Sequence, residues 1–233
     1  MKQQTDARVP LNKARVVAAA VAFADREGID ALSMRTLSQL LGVVPMALYK
    51  HVTNKEELID AMIDAVVGEI EPPKTGIHWR SAVRQRILSA RQGLLRHPWA
   101  SSAMEGRSTP TITVLNYMDS MIGMFVAGGF SIDLTHHAMH ALGSRMFGFS
   151  QELYTGSQSA APEGEAARQL ASMFPNIAAV ALAASHDHSS KPGPGCDDQF
   201  EFEFALDLVL DGFELLRQRD WRSENRQTGL RVA

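Results

Sequence analysis

Apolar residues recur at helical spacing along almost the whole chain, and this pattern predicts an all-α protein. The alternation that is typical of a strand occurs only in "FEFEF", residues 200–204, and the residues after it continue a helical pattern. The predicted helices cover about residues 11–27, 34–41, 45–50, 55–70, 78–96, 110–127, 132–154, 164–185 with an interruption at Pro175, and 199–219.

The segment "EPPKTG", residues 71–76, cannot continue a helix because Pro72 and Pro73 lack the backbone N–H that a helix uses. It separates four short helices from a longer run of larger ones. We therefore predict two domains: a small helical domain over residues 1–70 and a larger one over residues 71–233.

The short helices carry clear start and stop signals. Asn12, Ser33 and Asn54 stand where N-caps are expected, Gly42 can make the tight turn after the second helix, and Pro45 suits the first turn of the third. Two short helices joined by a tight turn with glycine form a helix-turn-helix, whose second helix lies in the major groove of DNA. The sequence therefore predicts an N-terminal helix-turn-helix DNA-binding domain.

Side-chain spacing predicts which residues of this motif face the core and which face outward. The residues predicted to hold the two helices together are Leu37, Leu40, Leu41, Val43 and Leu48. The residues predicted to project from the second helix are Pro45, Met46, Ala47, Tyr49 and Lys50. An outward cluster of this kind is typical of a surface that contacts a partner.

Charge supports the same interpretation. The 233-residue chain has a formal net charge of −3, yet residues 31–55 contain Arg35, Lys50 and Lys55 and no acid. A local positive patch in an acidic chain suits phosphate binding. The alternative is that three cations in this stretch form an ordinary solvated helix face.

The same stretch closely resembles the DNA-binding domain of the tetracycline-repressor (TetR) family over residues 11 to about 70. The residues that match the typical family pattern without gaps are Leu32, Arg35, Leu37, Leu40, Gly42, Val43, Leu48, Tyr49, His51, Val52, Asn54, Lys55 and Leu58. The resemblance implies that Arg35 reaches the groove or a phosphate, that Val44, Pro45, Met46, Ala47 and Lys50 contact bases, and that Tyr49, His51 and Lys55 hold phosphates. His51 could instead be a packed residue.

The larger domain is expected to form a homodimer, because a single DNA-binding domain offers too small an interface with DNA for tight specific binding. Residues 200–216 carry too many apolar side chains for a single buried stripe, and small residues in 136–154 suit close helix packing. The predicted dimer interface comprises Ala141, Ser144, Gly148, Phe204 and Leu208. The alternative is that both helices are intrachain core.

The resemblance extends to a tetracycline-repressor-type C-terminal domain, carried by "GGFSIDLTHHAMHALGSRMFGFSQEL", residues 128–153. It implies a small-molecule effector in a cavity of this domain. Where those repressors have a magnesium-ligating histidine, this chain has Glu105, and their other drug-contacting histidine and asparagine fall at Glu71 and Arg86. Tetracycline with magnesium is therefore not the expected effector.

We expect a largely apolar effector, with Arg107 and His140 as the first polar anchors. The candidate lining residues are Trp79, Trp99, Met104, Arg107, Tyr117, Met121, Phe125, His140, Met146 and Phe147. Any one of these could equally be core.

The sequence offers little for other classes of function. His136 and His140 could share a metal ion, but no acid or cysteine stands at a matching offset, so we expect no metal site and no cofactor. The commonest hydrolase and nucleotide-binding motifs are absent, so we expect no enzyme. One cysteine, no signal-like N-terminus and no long apolar run favour a soluble cytoplasmic protein.

The sequence therefore predicts an effector-responsive transcriptional regulator, most simply a repressor, that binds a palindromic operator as a homodimer and is released by a small molecule. The rival is a small-molecule-binding or enzymatic helical protein whose N-terminal unit merely packs.

Overall fold

The structure is a computed structural model that describes residues 10–148, 164–176, 178–179 and 198–226. The described residues are helical and contain no strand, which confirms the all-α prediction. The helices are α1 (Lys13–Glu27), α2 (Met34–Leu41), α3 (Pro45–Leu48), α4 (Lys55–Gly68), α5 (Trp79–Arg96), α6 (Trp99–Glu105), α7 (Ile112–Ala127), α8 (Ile132–Gly148), α9 (Gly164–Met173), α10 (Asp198–Gln218) and a 3-10 turn (Ser223–Arg226).

Two elements of this list were not predicted, namely α6 and the 3-10 turn. Helix α6 follows α5 after only His97 and Pro98, and its residues fall between the predicted helices 78–96 and 110–127. Helix α9 ends at Met173, shortly before the predicted interruption at Pro175. The predicted extension of α8 to residue 154 lies outside the described residues.

The predicted caps of the first helices are present. The Asn12 side chain accepts from the N–H of Arg15, and the Asn54 side chain accepts from the N–H of Glu57. Ser33 and Thr36 form a reciprocal capping box at the start of α2. Local side-chain chemistry therefore sets where α1, α2 and α4 begin.

Helices α1–α4, which we call the head, share one apolar core. α1 packs on α2 and α4, and α2 packs on α3. The buried members of the core are Val16, Val17, Ala20, Ala24, Leu32, Leu37, Leu48, Val52, Leu58, Met62, Val66, Trp99 and Ala100. Leu41 and Val43 pack against it while partly exposed, but Leu40 is 48% exposed, so the prediction that it faces inward is wrong. Leu40 directly precedes Leu41, and the narrow buried face of the short helix α2 does not include both.

Helix α4 connects the head to the helices that follow. It contacts α1 on one side and α5, α6 and α7 on others. Beyond it, the indole of Trp79 packs on the rings of Phe125 and Phe130, at centroid distances of 5.7 and 4.6 Å. Gly128 lies so close that a Cβ there would stand 2.6 Å from the Cβ of Trp79, which explains the glycine.

The chain divides into two compact units, residues 1–141 with 220–233, and residues 142–219. The head and α5–α7 thus belong to one unit. The predicted functional boundary between residues 70 and 71 falls inside that unit, in the connector between α4 and α5. No helix of the described residues is long and apolar enough to cross a membrane.

Candidate nucleic-acid interface and effector region

The helix-turn-helix presents one short helix with an exposed outer face. Gly42 adopts a left-handed conformation, with φ of 65°, and turns the chain between α2 and α3. Leu48 of α3 and Val52 just after it are fully buried in the head. These two anchors hold the outer face of α3 at a fixed angle to α2.

Apolar side chains on that face are exposed. Val44 and Met46 are 68% and 70% exposed, Tyr49 is 44% exposed, and Pro45 is also exposed. Ala47 is only half-buried, so it lies at the margin of the face. Neither Pro45 nor Met46 can make a bidentate hydrogen bond to a base, so this surface can read thymine methyls and groove shape more readily than base edges.

The positive residues of the motif are exposed and available. Arg35, Lys50 and Lys55 have no carboxylate partner among the described residues. His51 is half-buried, and its N–H donates to the Leu48 carbonyl. Unpaired exposed cations can bind phosphates without first breaking an internal ion pair.

The start of α4 is fixed by a polar cluster around Glu57. Its carboxylate accepts from the Lys13 ammonium at 2.7 Å and from the N–H and hydroxyl of Thr53 at 2.7 and 2.8 Å. The Lys13 hydrogen bond, followed by those from Thr53, lowers the pKa of Glu57 to about 2. This cluster ties α1 to the chain that leads from α3 into α4.

A second polar cluster joins α1 to the junction of α5 and α6. One carboxylate oxygen of Asp25 accepts from the indole N–H of Trp99 at 2.7 Å and lies 2.8 Å from Nδ1 of buried His97. Trp99 therefore belongs to the core of the head and is held by its own N–H. This position corrects the expectation that Trp99 lines an effector cavity, because its ring is buried in the core of the head and its N–H already donates to Asp25.

The other candidate effector residues fall into separate groups. Trp79, Met121 and Phe125 are buried, with Trp79 and Phe125 in the aromatic cluster between α5 and α7. His140 is exposed on α8, with its ring 4.6 Å from that of His136. The side chains of Met146 and Phe147 lie outside the described part of the chain.

Met104 and Arg107 line a depression of about 200 Å³ between α4, the α6–α7 loop and the start of α7. Its remaining lining residues are Ile63, Thr109, Pro110, Thr111 and Val114. Arg107 is paired with Asp60 of α4 at 2.7 Å, and the Thr111 hydroxyl donates to Asp64. Arg107 therefore connects the α6–α7 loop to α4.

Tyr117 lies beside Arg86, a residue that sequence reasoning did not include among the candidate anchors. The guanidinium carbon of Arg86 is 4.9 Å from the centroid of the Tyr117 ring. Arg86 is only 9% exposed, and one of its terminal nitrogens donates to the Glu71 carbonyl. The resemblance placed Arg86 where tetracycline repressors have a drug-contacting asparagine, but its burial was not predicted, because charged helix residues are usually solvated.

Of the predicted dimer residues, Phe204 and Leu208 are 54% and 58% exposed on α10, and Ala141 is exposed on α8. The side chain of Ser144 and the exposure of Gly148 lie outside what the structure describes. Helix α10 has a second, buried face, formed by Phe202, Leu206, Leu210 and Phe213. The helix is thus apolar on two faces, one covered within the chain and one open.

Two family models match the chain. Residues 16–62 match the bacterial regulatory proteins of the tetR family, and residues 72–217 match the tetracyclin repressor-like C-terminal domain. The chain therefore belongs to the tetR family, and its head is the DNA-binding domain of a transcriptional regulator. This result confirms the resemblance and the fold predicted from the sequence.

Individual proteins resemble the chain to different extents. An HTH-type transcriptional regulator of Saccharopolyspora erythraea is 32% identical over 55% of either chain. The HTH-type transcriptional repressor DrrR1 of Streptomyces coeruleorubidus is 30% identical over 87% of this chain and 77% of its own. The structure of apo ActR of Streptomyces coelicolor matches with a TM-score of 0.68 at 27% identity, over 91% of this chain and 99% of ActR. The structure of ActR in complex with actinorhodin matches with a TM-score of 0.64 at 27% identity, over 89% of this chain and 98% of ActR.

Proposed function

We propose that this protein is a cytoplasmic transcriptional repressor that binds a palindromic DNA operator as a homodimer and is released by a small, largely apolar effector. The single observation that carries the proposal is the exposed outer face of α3, flanked by unpaired Arg35, Lys50 and Lys55. An ordinary solvated helix face would not need buried Leu48 and Val52 and a glycine turn at Gly42 to fix its orientation. Membership of the tetR family supports the same role.

The DNA contacts divide by chemistry. Exposed Arg35, Tyr49 and Lys55 are phosphate partners, and half-buried His51 joins them at the margin. Exposed Lys50 contacts a base and also brings a positive charge close to the phosphates. Val44, Pro45, Met46 and Ala47 supply apolar groove contacts. Specificity would then rest mainly on Arg35, Lys50 and sequence-dependent DNA shape.

Dimerisation is supported by the open face of α10. Phe200, Phe204, Leu208 and Leu215 are each about half exposed on this 21-residue helix, at a spacing that makes one stripe. A symmetric pairing of this stripe would bury it, and two heads so joined could read half-sites about 34–36 Å apart.

The effector is supported by relatives and by the packing around α4. ActR has been solved with actinorhodin, and DrrR1 is named a repressor. In this chain Asp60 of α4 forms an ion pair with Arg107, and Asp64 of α4 accepts a hydrogen bond from Thr111. Both partners line the depression described above. A ligand that shifts these elements would shift α4 and with it the head, provided that it binds the two arrangements with different affinity.

Magnesium-chelated tetracycline does not suit this region. Glu105 is exposed at the end of α6, and the buried cation Arg86 stands where a neutral asparagine is expected by resemblance. A buried guanidinium repels a nearby magnesium ion.

The test is a mobility shift with duplex DNA from upstream of the protein's own gene, accompanied by random-site selection. We expect a palindromic sequence to be selected and the complex to dissociate as salt is raised. A scrambled duplex of equal length is the control. Failure to enrich any sequence would favour the rival, a small-molecule-binding helical protein without sequence-specific DNA binding.

A further inference from the structure

We propose that Arg86 and Tyr117 form an anchor for a carboxylate on the effector, so that the effector is an organic acid with an apolar body. This inference rests on the proposed function, since it names the chemistry of the ligand that the repressor would take. It goes beyond it because nothing in the fold or in family membership requires the ligand to be charged.

The first support is that Arg86 is a buried cation without a counter-charge. Its Nη1 donates to the Glu71 carbonyl and its Nη2 donates to the Ser120 hydroxyl at 3.3 Å, a long contact. Its Nε is buried and has no hydrogen-bond partner. No carboxylate of the described residues pairs with it. Burial lowers the pKa of Arg86, which reflects the cost of holding this charge away from water.

The second support is that the neighbouring Tyr117 hydroxyl is also buried without a partner. Burial raises the pKa of Tyr117 to about 12, so the group is a neutral hydrogen-bond donor at physiological pH. Native proteins seldom leave buried donors unpaired, because each one loses its bonds to water and gains none in exchange. Two neighbouring residues with unpartnered buried donors, one of them cationic, are suited to bind one anion that has several acceptor oxygens.

The chemistry of the donors selects the kind of anion. A guanidinium binds the two oxygens of a carboxylate in a planar, bidentate arrangement, and a phenol can add a third hydrogen bond. A metal ion is excluded by the sign of the charge. A neutral polar group could satisfy the hydroxyl but would leave the guanidinium uncompensated.

The surroundings select the body of the ligand. Tyr117, Met121 and Phe125 follow one another at intervals of four on α7, and the last two are buried. Trp79, which shares a face of α5 with Arg86, contacts Phe125. An acid whose carboxylate meets Arg86 would therefore bring its apolar body against the buried, largely aromatic side chains of α5 and α7, which would have to move apart to admit it.

The anchor also touches the connector to the head. Arg86 holds the carbonyl of Glu71, three residues after the end of α4, and the N–H of Glu71 donates to Ser89 of α5 at 2.9 Å. A carboxylate that takes up the guanidinium competes with this carbonyl. Binding of the acid thus changes a contact that fixes the end of α4.

The experiment compares matched ligands on the full-length protein. The probes are polycyclic aromatic acids, beginning with anthraquinone-2-carboxylate, each paired with its primary carboxamide of nearly equal shape. Thermal shift identifies the acid that stabilises the protein most, and calorimetry measures the Kd of that pair. We expect the acid to bind about tenfold to a hundredfold more tightly than its amide, the range for a charge-assisted hydrogen bond.

Variants assign the preference to the site. Arg86→Gln should abolish the acid preference, and Tyr117→Phe should reduce it; the operator Kd of each ligand-free variant is measured alongside, because Arg86 also holds the Glu71 carbonyl. Arg84→Gln removes the same charge two residues earlier on α5 and should keep the preference. Arg86→Lys, which keeps the charge but loses the planar fork, replaces Arg86→Gln if that variant does not fold, and should weaken the preference.

Three results would overturn the inference: no acid in the panel binds in preference to its amide, the preference survives Arg86→Gln, or Arg84→Gln removes it equally. The first result alone would show that Arg86 is a structural residue bound to the connector. Operator binding by the ligand-free protein is measured separately, so failure of the acid anchor and failure of the proposed repressor function give different results.

Discussion

Replacing Lys50 by alanine tests the DNA-binding surface directly. Lys50 is exposed in the turn that follows α3 and has no carboxylate partner among the described residues. Its removal therefore breaks no described ion pair and empties no part of the core, so fold and dimer should persist. What is lost is one positive charge from each head.

The size of the effect follows from counterion release. Each neutralised phosphate contributes about 0.9 to the slope of log K against log salt, so two heads that each lose one contact should reduce the slope by about 1.8. At about 0.15 M salt this corresponds to roughly fivefold per contact, or roughly 30-fold in operator Kd for the dimer. The loss should be larger for the operator than for an unrelated duplex, since Lys50 is also expected to contact a base, whereas a phosphate contact alone carries no sequence information.

The assay is fluorescence anisotropy with a labelled operator duplex, titrated at several concentrations between about 50 and 200 mM salt. Lys74→Ala is the matched control: it removes the same charge from an exposed site in the connector between α4 and α5. An unchanged slope for Lys50→Ala, or an equal change for Lys74→Ala, would refute the assignment of α3 as the DNA-contacting helix.

Two further predictions concern the dimer and the start of α4. Leu208→Glu should give monomers or aggregates by light scattering, because burying a charge in a symmetric apolar interface costs several kcal/mol. The control, Leu95→Glu, changes another exposed leucine and should leave a dimer. A Leu208→Glu protein that remains dimeric would place the interface elsewhere. Glu57 has its pKa lowered from 4.5 to about 2, so its contacts with Lys13 and Thr53 stabilise the fold above pH 4.5 and lose that effect as pH falls toward 2. The melting temperatures of wild type and Glu57→Gln should therefore differ near neutral pH and converge in acid; a gap that does not change with pH would contradict this.

Much of the head was predictable because its signals are local. Asn12, Ser33 and Asn54 bond to N–H groups three residues away, and Gly42 makes its turn through its own φ, so each feature is written within a few residues of the chain. Helical spacing predicted that Leu37 and Leu48 face the core, as the structure has them. The motif as a whole was specific enough to identify the family.

What the sequence could not decide is where distant helices meet. Spacing predicted Leu40 to be internal, but the face of α2 that α1 and α3 cover leaves it exposed. Trp99 resembled a pocket residue until the packing of α6 on α4 and its bond to Asp25 placed it in the core of the head. The resemblance drew attention to the position of Arg86, but its burial was not predicted. Only the packing of α7 and the connector around α5 makes Arg86 a buried cation whose Nε–H has no hydrogen-bond partner. The sequence alone determined the class of protein and the start of α1, α2 and α4, since these depend on neighbours along the chain. Burial depends on neighbours in space, so only the tertiary structure decided which polar groups are left without a partner.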